Sequence, residues 1–253
     1  MEQGEFEGAA RSFREVTAAS PNDAGAWIAL GRAEMAADRP ARAREAFERA
    51  ALLRPNEARP RILIGHTWEL ERRWDDALTA YVQARLIAPE DARPPRVLGT
   101  RLLRWGRPAE AVEPLARAVE LAPDDAETWN ALALARYHSH EPEAAEETFR
   151  RALARHPDHL GLRLGHAAVL VNLHRFAAAL AAYDAVVVRW PDFAAAHVGR
   201  ALLLDTLGQT AQAEAALVRA VEVARDPRPY AARLRQYRAR LARLARTPRS
   251  PAP

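Results

Sequence analysis

The sequence predicts an all-α protein built from repeated pairs of helices. Its 253 residues are 49% apolar and 28% charged. Few β-branched runs occur, and a bias toward Ala, Leu, Arg and Glu favours helix over sheet. Prolines also recur every 34 residues without slippage, and a period of this length is typical of stacked helical repeats. These prolines are Pro21, Pro55, Pro89, Pro123, Pro157 and Pro191.

The 34-residue unit predicts two helices that pack through a small residue facing a large one. Ala43, Phe47 and Ala50 share one stripe of the second helix, and Gly31 lies on the matching stripe of the first. Small residues let the neighbouring helix approach, and the large side chain fills the gap. The small column holds Gly31, Gly65, Gly99, Ala133, Ala167 and Ala201, and the large column holds Phe47, Tyr81, Leu115, Phe149, Tyr183 and Leu217.

The turn between the two helices has its own signals. Gly4, Gly106 and Gly208 share one position in the repeat, and His140 and His174 occupy the same position. We expect left-handed backbone there, because glycine adopts it freely and histidine tolerates it. Two residues later, prolines predict the first turn of the second helix, where no N–H is needed: Pro40, Pro108 and Pro142.

This pattern resembles the tetratricopeptide repeat family. Residues 27–31, Trp-Ile-Ala-Leu-Gly, followed by Ala43, Phe47 and Pro55, reproduce the family signature closely. The resemblance implies a right-handed superhelical solenoid with a concave groove, and a non-catalytic protein–protein interaction scaffold. The chain departs from the signature where tryptophan is replaced, at Arg61, Pro95, Arg163 and His197.

The repeat phase divides the chain into four parts. Residues 1–23 form a partial repeat that holds only a second helix, and residues 24–227 form six complete units. Residues 228–247 predict a basic amphipathic capping helix, and 248–253 a flexible tail. Because the first unit of this sequence lacks its first helix, we expect either that the native start lies further upstream or that the N-terminal end is apolar. An apolar end could stack on a second copy of the chain.

The C-terminal helix supports an alternative function. Residues 225–253 hold nine of the 37 arginines and a single acid, Asp226. The preferred interpretation is a cap that keeps the last repeat solvated. The alternative is an adaptor that docks on nucleic acid or an anionic membrane through this helix.

The family resemblance places a peptide-binding groove along the first helices, whose inward residues recur at i, i+4 and i+7. We expect Arg93 and Arg96 to contact acidic groups of a partner, Asn130 to bond its backbone, and Leu134 and Tyr137 to anchor its side chains. Alternatively, the two arginines pair with acids of this chain. The predicted groove residues are Arg32, Arg59, His66, Arg93, Arg96, Thr100, Asn130, Leu134 and Tyr137.

Several other functions are not expected. Cysteine is absent, and no phosphate-binding glycine loop, nucleophile elbow or Glu-flanked histidine pair occurs, so we expect neither an enzyme nor a cofactor. His138 and His140, like His156 and His159, are interpreted as turn or surface residues, and no metal site is expected. Without a signal peptide or an apolar run of membrane-spanning length, we expect a cytoplasmic protein, or a periplasmic one if the true start lies upstream.

Overall fold

The computed structural model describes the backbone of residues 2–246 and the side chains of residues 5–243. In this part of the chain there are fourteen α-helices and no strand, which confirms the all-α prediction. They are α1 (Glu2–Ala19), α2 (Ala24–Ala36), α3 (Pro40–Leu53), α4 (Ala58–Leu70), α5 (Trp74–Ile87), α6 (Arg93–Arg104), α7 (Pro108–Leu121), α8 (Ala126–His138), α9 (Pro142–Arg155), α10 (Leu160–Asn172), α11 (Phe176–Arg189), α12 (Ala194–Thr206), α13 (Thr210–Val223) and α14 (Arg228–Arg246).

The chain forms two compact units, which we call unit 1 (Met1–Ala135) and unit 2 (Arg136–Pro253). Within unit 1, each helix from α1 to α6 packs against the one that follows it, and α4 also contacts α6. Within unit 2, the same succession runs from α9 to α14, and α10 contacts α12. The predicted division into a partial repeat, six units and a cap stays a prediction. Its tail, 248–253, and residue 247 of its cap lie outside the described residues.

The small and large columns meet as predicted. Gly31 of α2 lies so close to Phe47 of α3 that an added Cβ would stand 2.4 Å from the ring atom Cε1. Gly65 and Tyr81 repeat this geometry between α4 and α5, also at 2.4 Å. Both rings are fully buried. Each first helix can therefore approach its second helix only where the side chain is very small.

The turns between first and second helices adopt the left-handed conformation at six positions spaced 34 residues apart. The φ angle lies between 57° and 74° at all six: Asp38, Arg72, Gly106, His140, His174 and Gly208. The prediction for the two histidines is confirmed. The prediction for Gly4 is wrong, because α1 begins at Glu2 and runs through Gly4 as continuous helix. A single glycine costs a helix only about 1 kcal/mol, which does not end it.

The side chain at the signature tryptophan position makes a specific hydrogen bond. Nε1 of Trp27 donates to the carbonyl oxygen of Pro21 at 2.9 Å, six residues earlier. Two of the departures from the signature keep this contact. Nε of Arg163 donates to the carbonyl of Pro157 at 2.5 Å, and Nε2 of His197 lies 2.8 Å from the carbonyl of Pro191. These side chains fix the turn that joins one helix pair to the next.

In unit 2, α14 packs as the capping interpretation requires. Leu234 is buried in a cluster with Leu204 and Leu217, and Tyr237 packs against this cluster. Two arginines of α14 also bind acids of unit 2. The shortest distances are 2.6 Å from Nε of Arg238 to Oε1 of Glu214 and 2.5 Å from Nη2 of Arg240 to Oδ1 of Asp205. This packing agrees with the capping interpretation, and both the cap and the adaptor stay predictions.

Helix length and hydropathy both bear on membrane insertion. Among the described residues, no helix is both long enough and apolar enough to cross a membrane.

Candidate functional site

Three successive first helices of unit 1 converge on one open pocket of about 470 Å³. We call it the tryptophan pocket. It is lined by one side chain of α2, three of α4, two of α6, the first residue of α5 and the residue that follows α6. These residues are Met35, His66, Glu69, Leu70, Trp74, Arg101, Arg104 and Trp105. The two indole rings stand 5.6 Å apart, centroid to centroid, at an angle of 55°.

One wall of the tryptophan pocket is held by a network of polar contacts. The hydroxyl of Tyr81 donates to Oε2 of Glu69 at 2.8 Å. Nε of Arg101 lies 3.2 Å from the same oxygen, as an ion pair without hydrogen-bond alignment. Nη2 of Arg101 also lies 3.1 Å from Nε2 of His66. Since α4, α5 and α6 each contribute to this network, the wall is fixed before any partner arrives.

The environment of His66 keeps its ring neutral. Burial, and then the positive charge of Arg101, lower the pKa of His66 from 6.5 to about 4. A neutral Nε2 can accept the hydrogen bond that the guanidinium of Arg101 donates. Because the Arg101 charge is offset by Glu69, the wall carries no net charge at neutral pH.

We expect the imidazole of His66 to titrate with a midpoint near pH 4 in the folded protein and near 6.5 when unfolded. The folded state then binds fewer protons than the unfolded state between these values. The contribution of His66 to stability is therefore fully present above about pH 6.5 and is lost as the pH falls toward 4. Imidazole NMR shifts followed against pH check this. In Arg101→Met the midpoint should rise, and an unchanged midpoint would contradict the contribution assigned to the Arg101 charge.

The opposite side of the tryptophan pocket remains exposed. Leu70 is 55% exposed and Trp74 is 45% exposed, although both are large and apolar. Arg104 is exposed and makes no ion pair with any described residue. Exposed apolar side chains beside an arginine characterise surfaces at which proteins bind one another.

A second concave region runs along α2, from Gly25 to Ala36. We call it the N-terminal groove, with a volume of about 520 Å³. Its floor includes Phe6 and Phe13 of α1 and Ile28 and Ala29 of α2, and its rim includes Arg32 and Arg59.

The structure brings only some of the predicted groove residues together. Arg32 and Arg59 share the N-terminal groove, whereas His66 lies in the tryptophan pocket. Arg93 and Arg96 lie outside both. Nε and Nη2 of Arg93 bind the carboxylate of Asp91, with a shortest distance of 2.7 Å, and Nε of Arg96 lies 3.7 Å from Oδ2 of Asp125. These pairs follow the alternative in which both arginines neutralise acids of their own chain.

The remaining predicted groove residues differ in hydrogen bonding, burial and location. The hydroxyl of Thr100 is already donated within α6, to the carbonyls of Arg96 and Val97 at 2.9 and 3.0 Å. Asn130 and Leu134 are half-buried on α8. Tyr137 belongs to unit 2, where it lines a separate pocket of about 410 Å³ with His138 and His140. Their assignment to a binding groove stays a prediction.

Metal binding would require several ligating side chains close together. The described residues contain no group of three or more His, Asp or Glu side chains that could hold a metal ion.

Family models match most of the chain. Sequence patterns described as tetratricopeptide repeat match residues 1–66, 96–159 and 164–232. The chain belongs to the tetratricopeptide repeat family. Members of this family act in protein–protein interaction and are in general not catalytic, so the chain is a protein-interaction scaffold. A search of curated proteins gives no significant match.

Solved structures with the tetratricopeptide repeat (TPR) fold resemble this chain. One of them is the APC/C hetero-tetramer Cut9-Hcn1, which is 19% identical over 93% of this chain, with a TM-score of 0.58. The match covers 46% of the length of the Cut9-Hcn1 chain. YrrB, described as a TPR protein with an unusual peptide-binding site, is 21% identical over 74% of this chain and 97% of its own, with a TM-score of 0.60.

A third TPR structure gives a higher TM-score. The C-terminal part of a TPR repeat-containing protein from Cytophaga hutchinsonii is 13% identical over 87% of this chain and 90% of its own, with a TM-score of 0.72. At such identities, likeness shows the fold alone.

Sequence reasoning missed the residues that shape the tryptophan pocket. Arg101 and Arg104 take repeat positions that Thr67 and Leu70 occupy one repeat earlier, and Ala33 and Ala36 two repeats earlier. They also fall outside the i, i+4, i+7 pattern used for the TPR groove. The only available signal was the departure itself, two arginines beside Trp105 at positions where another unit has alanine.

Proposed function

We propose that the chain binds a segment of a partner protein, an extended peptide or a helix, against the tryptophan pocket of unit 1. The observation that carries this proposal is the contrast between the two sides of the pocket. Glu69, Tyr81 and Arg101 fix one side, while Leu70 and Trp74 stay exposed on the other.

The chemistry of this surface suits an apolar or aromatic anchor. Trp74 and Trp105 present tilted faces, against which a leucine or an aromatic ring loses its contact with water. A fixed wall lowers the conformational entropy lost on binding, because few groups must be ordered when the partner arrives. Arg104 adds one unpaired positive charge at the rim.

We expect the double variant Leu70→Ala/Trp74→Ala to bind partner peptides at least about tenfold more weakly, a loss of about 1.4 kcal/mol. Peptides are selected from a random display library on the purified chain, and their affinities are measured by fluorescence anisotropy. Both side chains are exposed, so the melting temperature should change little.

The matched control is Leu52→Ala/Leu86→Ala. These leucines are 71% and 70% exposed on the second helices α3 and α5, away from the tryptophan pocket. The control should keep the affinity of the unmodified chain. Selected peptides that bind all three proteins equally would show that the pocket is not the binding site.

A further inference from the structure

The N-terminal groove has a floor shaped to receive a helix. Gly25, Ala29 and Ala36 lie on one stripe of α2, at spacings of four and seven residues. They span roughly 16 Å along the helix axis, which equals about three helical turns. Phe6 and Phe13, seven residues apart on α1, lie along the same groove. Small residues beside a large-residue ridge are the surface into which the side chains of another helix interdigitate.

The groove is open in this structure. Gly25 and Ala36 are exposed, and Phe6 is 39% exposed although it is aromatic. Its walls are helices whose backbone groups bond within the helices themselves. An extended peptide on such a floor would bury backbone N–H and C=O groups without partners. A helix satisfies these groups internally, so it can bury an apolar stripe at little polar cost.

The rim of the groove determines the charge of the occupant. Arg32 and Arg59 are exposed and make no ion pair with any described residue. The third arginine at the rim, Arg54, is offset by Glu57, whose Oε1 lies 2.9 Å from its Nη1. The groove therefore presents two uncompensated positive charges beside an apolar floor.

We infer that the N-terminal groove docks an acidic amphipathic helix of a partner protein. The helix would place apolar side chains at i, i+3 or i+4, and i+7 between the phenylalanines of α1 and the small residues of α2. Carboxylates flanking its apolar stripe would form charge-assisted hydrogen bonds with Arg32 and Arg59. The inference rests on the proposed function in one respect, that unit 1 binds a segment of a partner.

Three synthetic 18-residue peptides test this. All carry the same leucine stripe; the first has glutamates beside it, the second lysines, and the third is the glutamate peptide with a central proline that breaks the helix. By anisotropy at moderate ionic strength, the glutamate peptide should bind at least tenfold more tightly than either of the others. Arg32→Glu/Arg59→Glu should reverse the preference between glutamate and lysine. Equal binding of the first two peptides, or undiminished binding of the proline peptide, would overturn the inference.

Two control variants show whether the preference depends on the N-terminal groove. Arg49→Glu/Arg42→Glu makes the same charge change on α3, outside the groove, and should keep the preference. Leu70→Ala/Trp74→Ala should also keep the preference for the glutamate peptide. If this variant loses the preference, the peptide binds in the tryptophan pocket. The inference would then fail while the proposed function stands. A separate experiment, sedimentation of the protein alone, tests the predicted self-association. If the protein forms a dimer that Arg32→Glu/Arg59→Glu abolishes, a second copy of the chain occupies the N-terminal groove, and the inference is overturned.

Discussion

Replacing Phe47 with alanine is expected to lower the free energy of unfolding by about 3–5 kcal/mol, as for other fully buried aromatic side chains. The ring is 0% exposed and occupies the space beside Gly31, within a cluster that includes Ile64 of α4. Its removal leaves a cavity that backbone already in close contact cannot fill. Urea unfolding measures the total loss, and hydrogen exchange of α2, α3 and α4 locates it.

Leu52→Ala is the control for this substitution. Leu52 lies on the same helix, five residues further along, and is 71% exposed. Its replacement should change the free energy of unfolding by no more than about 0.5 kcal/mol. A loss below about 1 kcal/mol for Phe47→Ala, or equal losses for the two variants, would contradict the packing described for α2 and α3.

Gly65→Val is expected to destabilise unit 1 by about 3 kcal/mol, at the upper end for overpacked cores. The new Cβ would stand 2.4 Å from Cε1 of Tyr81. The ring cannot move aside easily, because Tyr81 is 0% exposed and its hydroxyl is bonded to Glu69. Either the ring or the whole of α4 must shift. Urea unfolding followed by circular dichroism measures the loss.

Gly8→Val makes the identical change where there is room. Nothing lies within 4 Å of a Cβ added at Gly8, which is exposed on α1. Valine has the higher helix propensity, so this control should be neutral or stabilise by a few tenths of a kcal/mol. The same sign for both variants would show that helix propensity, and not the contact with Tyr81, governs the effect at Gly65.

Much of the fold was predictable from the repeat, because residues of similar size and backbone preference recur at the same position every 34 residues. The columns of Gly31 and Phe47 predicted which helices touch, and the column of Gly106 predicted a left-handed turn. Arg72 adopts that turn although arginine does not favour left-handed backbone, whereas Asp38 belongs to a residue type that tolerates it. At Arg72 the packing of the two helices overrides local preference.

The candidate site was predictable only in part, because it depends on what distinguishes one unit from the next. Of its residues, the groove set predicted from the inward pattern of the first helices contained His66 but not Glu69. The contact of Arg101 with both could not be predicted, since it joins α6 to α4 across different repeat positions. Nor does sequence spacing show that Asp91 binds Arg93, because such pairing depends on side-chain rotamers.

The bond to the carbonyl of the closing proline changes what counts as a signature residue. Tryptophan, arginine and histidine differ in size, charge and aromaticity. Yet Trp27, Arg163 and His197 each place a ring or guanidinium nitrogen against the carbonyl of the closing proline six residues earlier. The position thus selects for reach and an N–H group rather than for an indole. A search that scores only tryptophan there would miss joints between helix pairs that are chemically equivalent.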